Sequence, residues 1–296
     1  MTRADEGRRI REITSRANPL LKVFRGALAT GVTREGWLAA EGPLLLEEAL
    51  KSGSTGRGRI SASGAVRSVI VARGAADKFA GLLESLPADT ELTQVPDSLF
   101  QTLAQTASPQ GIAALVEVQP PEFDAVIRQA NVLMAVICGL QDPGNLGTIL
   151  RAAEAFGADA VITLKSTVSP FNPKVVRACG GAIFRLPLFI GIEAGRLLAR
   201  LHEKKIQIIA MDRRSPPPLS AADLRGSLAF LIGNEAAGLP GKMIQSADLT
   251  LSIPIRPGVD SINAAMAAGI FLYEAARQRR SRYPVIPSEA RSLALQ

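Results

Sequence analysis

The sequence predicts an α/β fold: a mostly parallel sheet with helices on both faces in the C-terminal half, and a smaller α/β unit before it. Three observations carry this. Apolar runs at residues 132–139, 160–164, 206–211 and 229–232 alternate with helical segments, and unbroken apolar runs are how strands buried on both faces read. A strand, helix, strand series at 37–42, 43–50 and 68–72 repeats the alternation nearer the N terminus. At 296 residues the chain has room for about two domains.

Taken in order, residues 37–42 form a short strand. Pro43 suits the first turn of a helix, and Leu44, Leu45, Ala49 and Leu50 share one face of it. Residues 51–64 are rich in Gly and Ser and read as an exposed insert carrying Arg57 and Arg59. The apolar run at 111–118 leads into Pro120 and Pro121, a natural exit from a strand. The expected organisation is a first domain at 1–118, a linker at 119–131, a second domain at 132–282 and a loose tail at 283–296.

In the second domain the strand at 132–139 leads to a helix over 145–156, for which Asn145 is the expected N-cap with Arg151 facing the same cleft. Strands at 160–164, 206–211 and 229–232 follow, and an Ala-rich helix ends near Tyr273. Ligands of open parallel sheets sit at the carboxyl ends of the strands, so the loops after Gly139, Ile232 and Ile253 are where chemistry is expected.

Composition narrows the function classes. Apolar residues make up 47% and charged residues 21%, ordinary globular usage that excludes global disorder. Lys and Arg number 34 against 27 Asp and Glu, a net charge of +7. All of that excess lies in residues 132–282, which hold 18 basic and 11 acidic side chains, and it favours an anionic partner such as nucleic acid. Cys138 and Cys179, outside any CxxC, support neither a disulfide framework nor a zinc cluster, and read as small buried thiols. The longest apolar stretch, 132–140, falls far short of the roughly 20 residues of a membrane helix. With no signal-like apolar run behind the Arg-rich start, a cytoplasmic location is expected. No GxGxxG follows a strand, no GxxxxGK[ST] occurs, and the single histidine, His202, lies in a charged surface stretch.

Three segments leave their strands through glycine or proline and bring polar residues with them. They are Asp142-Pro143-Gly144-Asn145 running on to Arg151, then Gly233-Asn234-Glu235, then Ile253-Pro254-Ile255-Arg256-Pro257-Gly258-Val259-Asp260-Ser261-Ile262-Asn263. Each alone is explicable as turn or cap chemistry. Their joint appearance at one edge of one sheet reads as a polar cleft.

Together these segments resemble the SpoU (TrmH) class of the SPOUT superfamily, RNA ribose 2′-O-methyltransferases that use S-adenosylmethionine. DPGNLGTILRAAEAFGA from Asp142, IGNEAAG from Ile232 and IPIRPGVDSINAAMAA from Ile253 resemble the three ordered family motifs. The stretch from Ser169 to Ala182 is similar to a further family segment. Ile13-Thr14-Ser15-Arg16-Ala17-Asn18-Pro19 and Ala40-Glu41-Gly42-Pro43 resemble the family's N-terminal RNA substrate-binding domain, of ribosomal-protein-like type. Ile262 stands where the family usually has Leu, Ala264-Ala265 where Val-Ser is usual, and Cys179 at a common Ser position.

The resemblance implies a deep trefoil knot, against the usual expectation of unknotted chains, and a homodimer with catalytic residues drawn from both subunits. It implies that Gly233, Ile253 and Ile262 contact the methyl donor, S-adenosylmethionine, and that Asn145, Arg151, Glu235, Ser261 and Asn263 form the catalytic pocket. No metal is implied. Family models give Arg151 the 2′-hydroxyl proton. A guanidinium keeps its own proton, so an electrostatic clamp on phosphate or alkoxide stands beside that role. The implied substrate is structured RNA, ribosomal before transfer RNA. With 4% aromatic residues, recognition is expected to lean on phosphate, 2′-hydroxyl and shape rather than base stacking. The competing reading is a non-catalytic RNA-binding or ribosome-assembly protein on the same scaffold, which would keep charge and lose the pocket.

Overall fold

The computed structural model describes residues 10–55, 66–119, 121–212 and 217–279. Two sheets organise them. The first is built from β1 (Ile10–Glu12), β2 (Leu38–Glu41), β3 (Val66–Ala72), β4 (Glu91–Val95) and β5 (Ile112–Val116), in the order β1-β4-β3-β5-β2. Its β1, β3 and β4 run parallel, whereas β5 is antiparallel to both β2 and β3. Helices α1 (Pro19–Thr30), α2 (Pro43–Thr55), α3 (Ala80–Glu84) and α4 (Asp97–Gln101) connect these strands. Asn18 caps α1, its side chain accepting from the Leu20 N–H, and Pro19 occupies the first turn, where a missing N–H costs nothing.

The second sheet is wholly parallel in its pairings, ordered β11-β9-β10-β6-β7-β8. Its strands are β6 (Leu133–Ile137), β7 (Ala160–Leu164), β8 (Leu188–Ile192), β9 (Gln207–Met211), β10 (Leu228–Ile232) and β11 (Leu249–Leu251). Between them run α5 (Phe123–Ile127), α6 (Pro143–Ala155), α7 (Pro173–Ala178), α8 (Ala182–Arg185), α9 (Ala194–Glu203) and α10 (Gly241–Gln245), with α11 (Ala264–Gln278) last. Every residue of β6, β7 and β10 is buried, which is why those runs carry no polar alternation. One core joins β6 and β10 to α6 and α11, and a second lies on the opposite face under α9.

Several expectations change. Asp142, not Asn145, caps α6: its Oδ1 accepts from the Asn145 N–H at 2.7 Å, so the helix starts at Pro143 and the Asn145 side chain is released for other work. Helix α2 runs to Thr55, five residues into the expected insert; the rest of that insert, with Arg57 and Arg59, lies outside the described residues. The stretch 119–131 contains α5, whose Val126 and Ile127 are buried against Val132 and Met134. Helix α11 continues past Tyr273 to Gln278. Among the basic residues at its end, Arg277 pairs with Glu274, and Arg279 donates to the carbonyls of Leu224, Asn131 and Gly226. Arg280, Arg282 and residues 283–296 lie outside the described residues.

The two sheets are not separately cored. Helix α1 and β2 pack on α7, α2 packs on α8, and one apolar cluster contains Leu46 and Ala49 together with Val175 and Ile183. Both cysteines are buried free thiols, and burial pushes Cys138 up to about 12, which leaves it uncharged and inert. Among the described residues no helix is long and apolar enough to cross a membrane, and no cluster of metal-ligating side chains occurs.

Candidate active site

The carboxyl ends of β9, β10 and β11 open on a cavity of about 330 Å³, within the range of roughly 300–1,000 Å³ usual for small-molecule sites. Ile232, Leu239, Leu251, Ile253 and Ile262 supply apolar wall; Gly233, Glu235 and Ser261 stand at the polar side. Gly233 is there because nothing larger fits. A Cβ on it would lie 2.5 Å from the Leu239 backbone nitrogen, so the 233–239 turn closes only on glycine. That turn is pinned by Asn234, whose backbone exchanges hydrogen bonds with Gly238 and whose Oδ1 accepts from the Ala236 and Ala237 N–H groups at 2.9 and 3.0 Å.

Beside the cavity a hydrogen-bonded chain links all three loops. Glu235 accepts from the Asp142 N–H at 2.9 Å, the Gln141 N–H at 3.3 Å and the Asn145 side-chain amide at 3.2 Å. Asn145 in turn accepts through Oδ1 from Nδ2 of Asn263 at 2.8 Å. Asn263 caps α11, its Oδ1 taking the Ala265 and Met266 N–H groups at 2.8 and 3.1 Å. Each amide therefore has its flip set by its partners, and the loops cannot move independently. Partial burial opposes ionisation of Glu235, but the N–H donors around it outweigh that and hold its carboxyl below the ordinary carboxylate range. A carboxylate so held is a poor proton acceptor and a good anchor.

Seven of the eight residues expected from the sequence converge here. Gly233, Glu235, Ile253, Ser261 and Ile262 line the cavity, and Asn145 and Asn263 join it through Glu235. Arg151 does not. Six residues along an α-helix is about 240° of rotation and about 9 Å of rise, so a side chain there leaves the face that Asn145 occupies. Arg151 is exposed and faces the turn between α7 and α8, where a Cβ on Gly180 would lie 3.6 Å from its Cδ and Nε.

Residues the sequence did not single out hold the site's floor. Nε2 of Gln141 donates to the carbonyls of Gly139 and Ser166 at 3.0 and 2.6 Å, and Asn234 Nδ2 donates to Gly139 at 2.9 Å. Asn234 lay inside a recognised segment, and its place two residues before the N–H groups it caps was the available signal.

The sequence profile of the SpoU rRNA Methylase family matches residues 132–273. An uncharacterised tRNA/rRNA methyltransferase of Synechocystis, slr1673, is 32% identical over 91% of this chain and 95% of its own. The 23S rRNA (guanosine(2553)-2′-O)-methyltransferase RlmP of Bacillus subtilis is 29% identical over 81% of this chain and 89% of its own. Among solved structures, the SpoU methyltransferase AviRb of Streptomyces viridochromogenes in complex with AdoMet superposes with a TM-score of 0.76 at 26% identity, covering 89% of this chain and all of that one. An AdoMet-bound rRNA methyltransferase of Sinorhizobium meliloti gives 0.76 at 26% identity, over 90% and 98%. With the glycine-built cavity and the three-loop polar chain at the same end of a parallel sheet, this chain belongs to the SpoU rRNA methylase family.

Proposed function

We propose that this protein transfers a methyl group from S-adenosylmethionine to a ribose 2′-hydroxyl of ribosomal RNA, in the cytoplasm. The observation that carries the reading is the cavity closed by Gly233, coupled through Glu235 to Asn145 and Asn263. A non-catalytic scaffold has no use for such a chain. The cavity fits the donor: apolar wall from Ile232, Ile253 and Ile262 suits an adenosine, and the turn at Gly233 presents backbone where a Cβ would intrude. When bound, S-adenosylmethionine supplies an electrophilic methyl on a sulfonium.

The protein's own residues then have a positioning task, which can supply several kcal/mol. Glu235 holds the Asp142 and Asn145 amides in place, and Asn263 orients Asn145 toward the acceptor side. Ser261, on the loop carrying Ile262, offers a hydroxyl to the acceptor ribose. Arg151 supplies fixed positive charge to the RNA phosphate or the 2′-oxygen, whose proton passes to water. Because Arg151 stands away from its own chain's cavity, the reading includes a homodimer in which it serves the partner's site.

The homodimer draws support from α11, where Met266, Ile270 and Tyr273 recur on one face with exposures of 58, 38 and 46%. The reading also includes the knotted path. Residues 253–262 lie beside the 233–238 turn before α11 packs on α6, an arrangement such a path needs. The five-stranded unit is the RNA-binding domain.

Isothermal titration with S-adenosylhomocysteine tests the donor site, alongside Gly233→Val. The expected result is saturable binding near one per chain that the variant loses, followed by labelled-methyl transfer to total RNA. A folded protein that binds no S-adenosylhomocysteine would leave the non-catalytic RNA-binding reading in its place.

A further inference from the structure

Arg151 and Glu154 sit three residues apart on α6, a spacing at which opposite charges on a helix are within reach of each other. They do not pair here. Glu154 is taken instead by Arg185 of α8, which grips both its oxygens, Nη2 to Oε2 at 3.0 Å and Nε to Oε1. The third nitrogen of that guanidinium, Nη1, holds Glu48 of α2, in the five-stranded unit. The trio is substantially covered: the side chains of Glu48, Glu154 and Arg185 are 16, 27 and 30% exposed. Hydrogen bonds to Glu154 raise Arg185, and at Glu48 burial opposes ionisation but hydrogen bonds from Lys51 and Arg185 outweigh it and lower the carboxyl.

The turn between α7 and α8 locks this arrangement next to Arg151. A Cβ on Gly180 would lie 3.6 Å from the Arg151 Cδ and Nε, and at Gly181, with φ +86°, a Cβ would come within 2.7 Å of Glu48 Cβ. One glycine pair thus separates Arg151 on one side from Glu48 of the five-stranded unit on the other.

We infer that Arg185 is a positioning residue for methyl transfer: by occupying Glu154 it keeps Arg151 from being captured by its own helix and leaves that guanidinium free for RNA. Docking of the five-stranded unit, through Glu48, completes the hold on Arg185. This rests on the reading of Arg151 given above. Without Arg185, Glu154 is a largely covered carboxylate with no partner, and Arg151 is the cation three residues away. Its pull then exceeds the small worth of an exposed helix pair.

The test is second-site rescue, with labelled-methyl transfer to total RNA from cells lacking the gene and S-adenosylhomocysteine titration as a check on the donor site. Arg185→Met is expected to lower kcat about tenfold, the scale of one lost charge-positioning contact, with S-adenosylhomocysteine affinity unchanged. Adding Glu154→Gln removes the capturing charge and is expected to return kcat to within about threefold of wild type, an interaction that a double-mutant cycle isolates. Arg185→Lys, which keeps the charge but not the two-point grip, gives a smaller loss with the same rescue if Arg185→Met proves unstable. Equal impairment of single and double variants, or an unimpaired Arg185→Met, overturns the inference. An active Arg151→Ala variant would instead overturn the reading of Arg151 beneath it.

Discussion

The Nδ2 of Asn263 donates to Oδ1 of Asn145 at 2.8 Å, across 118 residues of sequence, and so ties the first turn of α6 to the cap of α11. Asn263 performs two separable tasks, a helix cap through its oxygen and a cross-link through its nitrogen. Asn263→Ala loses both and is expected to cost about 1 kcal/mol of stability as well as activity. Asn263→Asp keeps the cap and loses the cross-link, so its melting temperature stays near wild type while methyl transfer falls about tenfold, one charge-neutral contact's worth at the reacting centre. Parallel melting curves and turnover separate the two.

Arg151 discriminates charge from geometry. Arg151→Ala is expected to lower kcat at least about a hundredfold, the scale for removing one preorganised electrostatic group, with S-adenosylhomocysteine affinity unchanged. Arg151→Lys recovers part of the loss if charge alone is needed and none if the planar two-point grip on phosphate is needed. Single-turnover methyl transfer reads either outcome.

The apolar face of α11 predicts the assembly. Ile270→Glu places a charge at the centre of the Met266, Ile270 and Tyr273 stripe and, on the proposed dimer with Arg151 serving the partner's site, is expected to yield a monomer in sedimentation that has lost turnover. A monodisperse wild-type monomer that is fully active refutes the shared site.

Acid should uncouple the loops through Glu235. Its folded carboxyl lies below the ordinary value of 4.5, because N–H donors outweigh burial. A depressed carboxylate contributes stability that is complete above its unfolded value and is lost as pH falls through the folded one. The melting-temperature difference between wild type and Glu235→Gln is therefore expected to be flat from pH 7 to about 5 and to shrink below 4.5. A difference that grows on acidification contradicts the assignment.

RNA binding, carried by charge rather than by aromatic stacking, should weaken steeply with salt. Affinity measured by filter binding at two potassium chloride concentrations checks this; a salt-independent constant would contradict it.

Local chemistry made much of this legible. The runs at 160–164 and 229–232 are short, apolar and set between helical segments, which marks them as strands buried on both faces, and Pro43 suits the first turn of a helix because its missing N–H costs nothing there. Gly233, Glu235, Ser261 and Asn263 stood out because glycine, amides and carboxylates after a buried strand serve no hydrophobic purpose. The short strand β1 was not legible, since three residues carry no period and are defined by the neighbour they pair with. Nor was the cap of α6: Asp142 and Asn145 are both good caps by type, and only the backbone path decided that Asp142 caps while Asn145 reaches Glu235.

The sequence by itself determined the α/β class, the parallel character of the C-terminal sheet, the basic balance of residues 132–282 and the residue types of the site, because periodicity, turn chemistry and charge are local properties. Tertiary structure alone decided which of those residues meet. Asn145 and Asn263 bond across 118 positions, Glu48 reaches Arg185 across 137, and Arg151 faces the turn at Gly180 rather than the cavity. Such contacts depend on how strands order themselves and helices pack, and these are set by burial summed over the whole chain, which no short window of sequence contains.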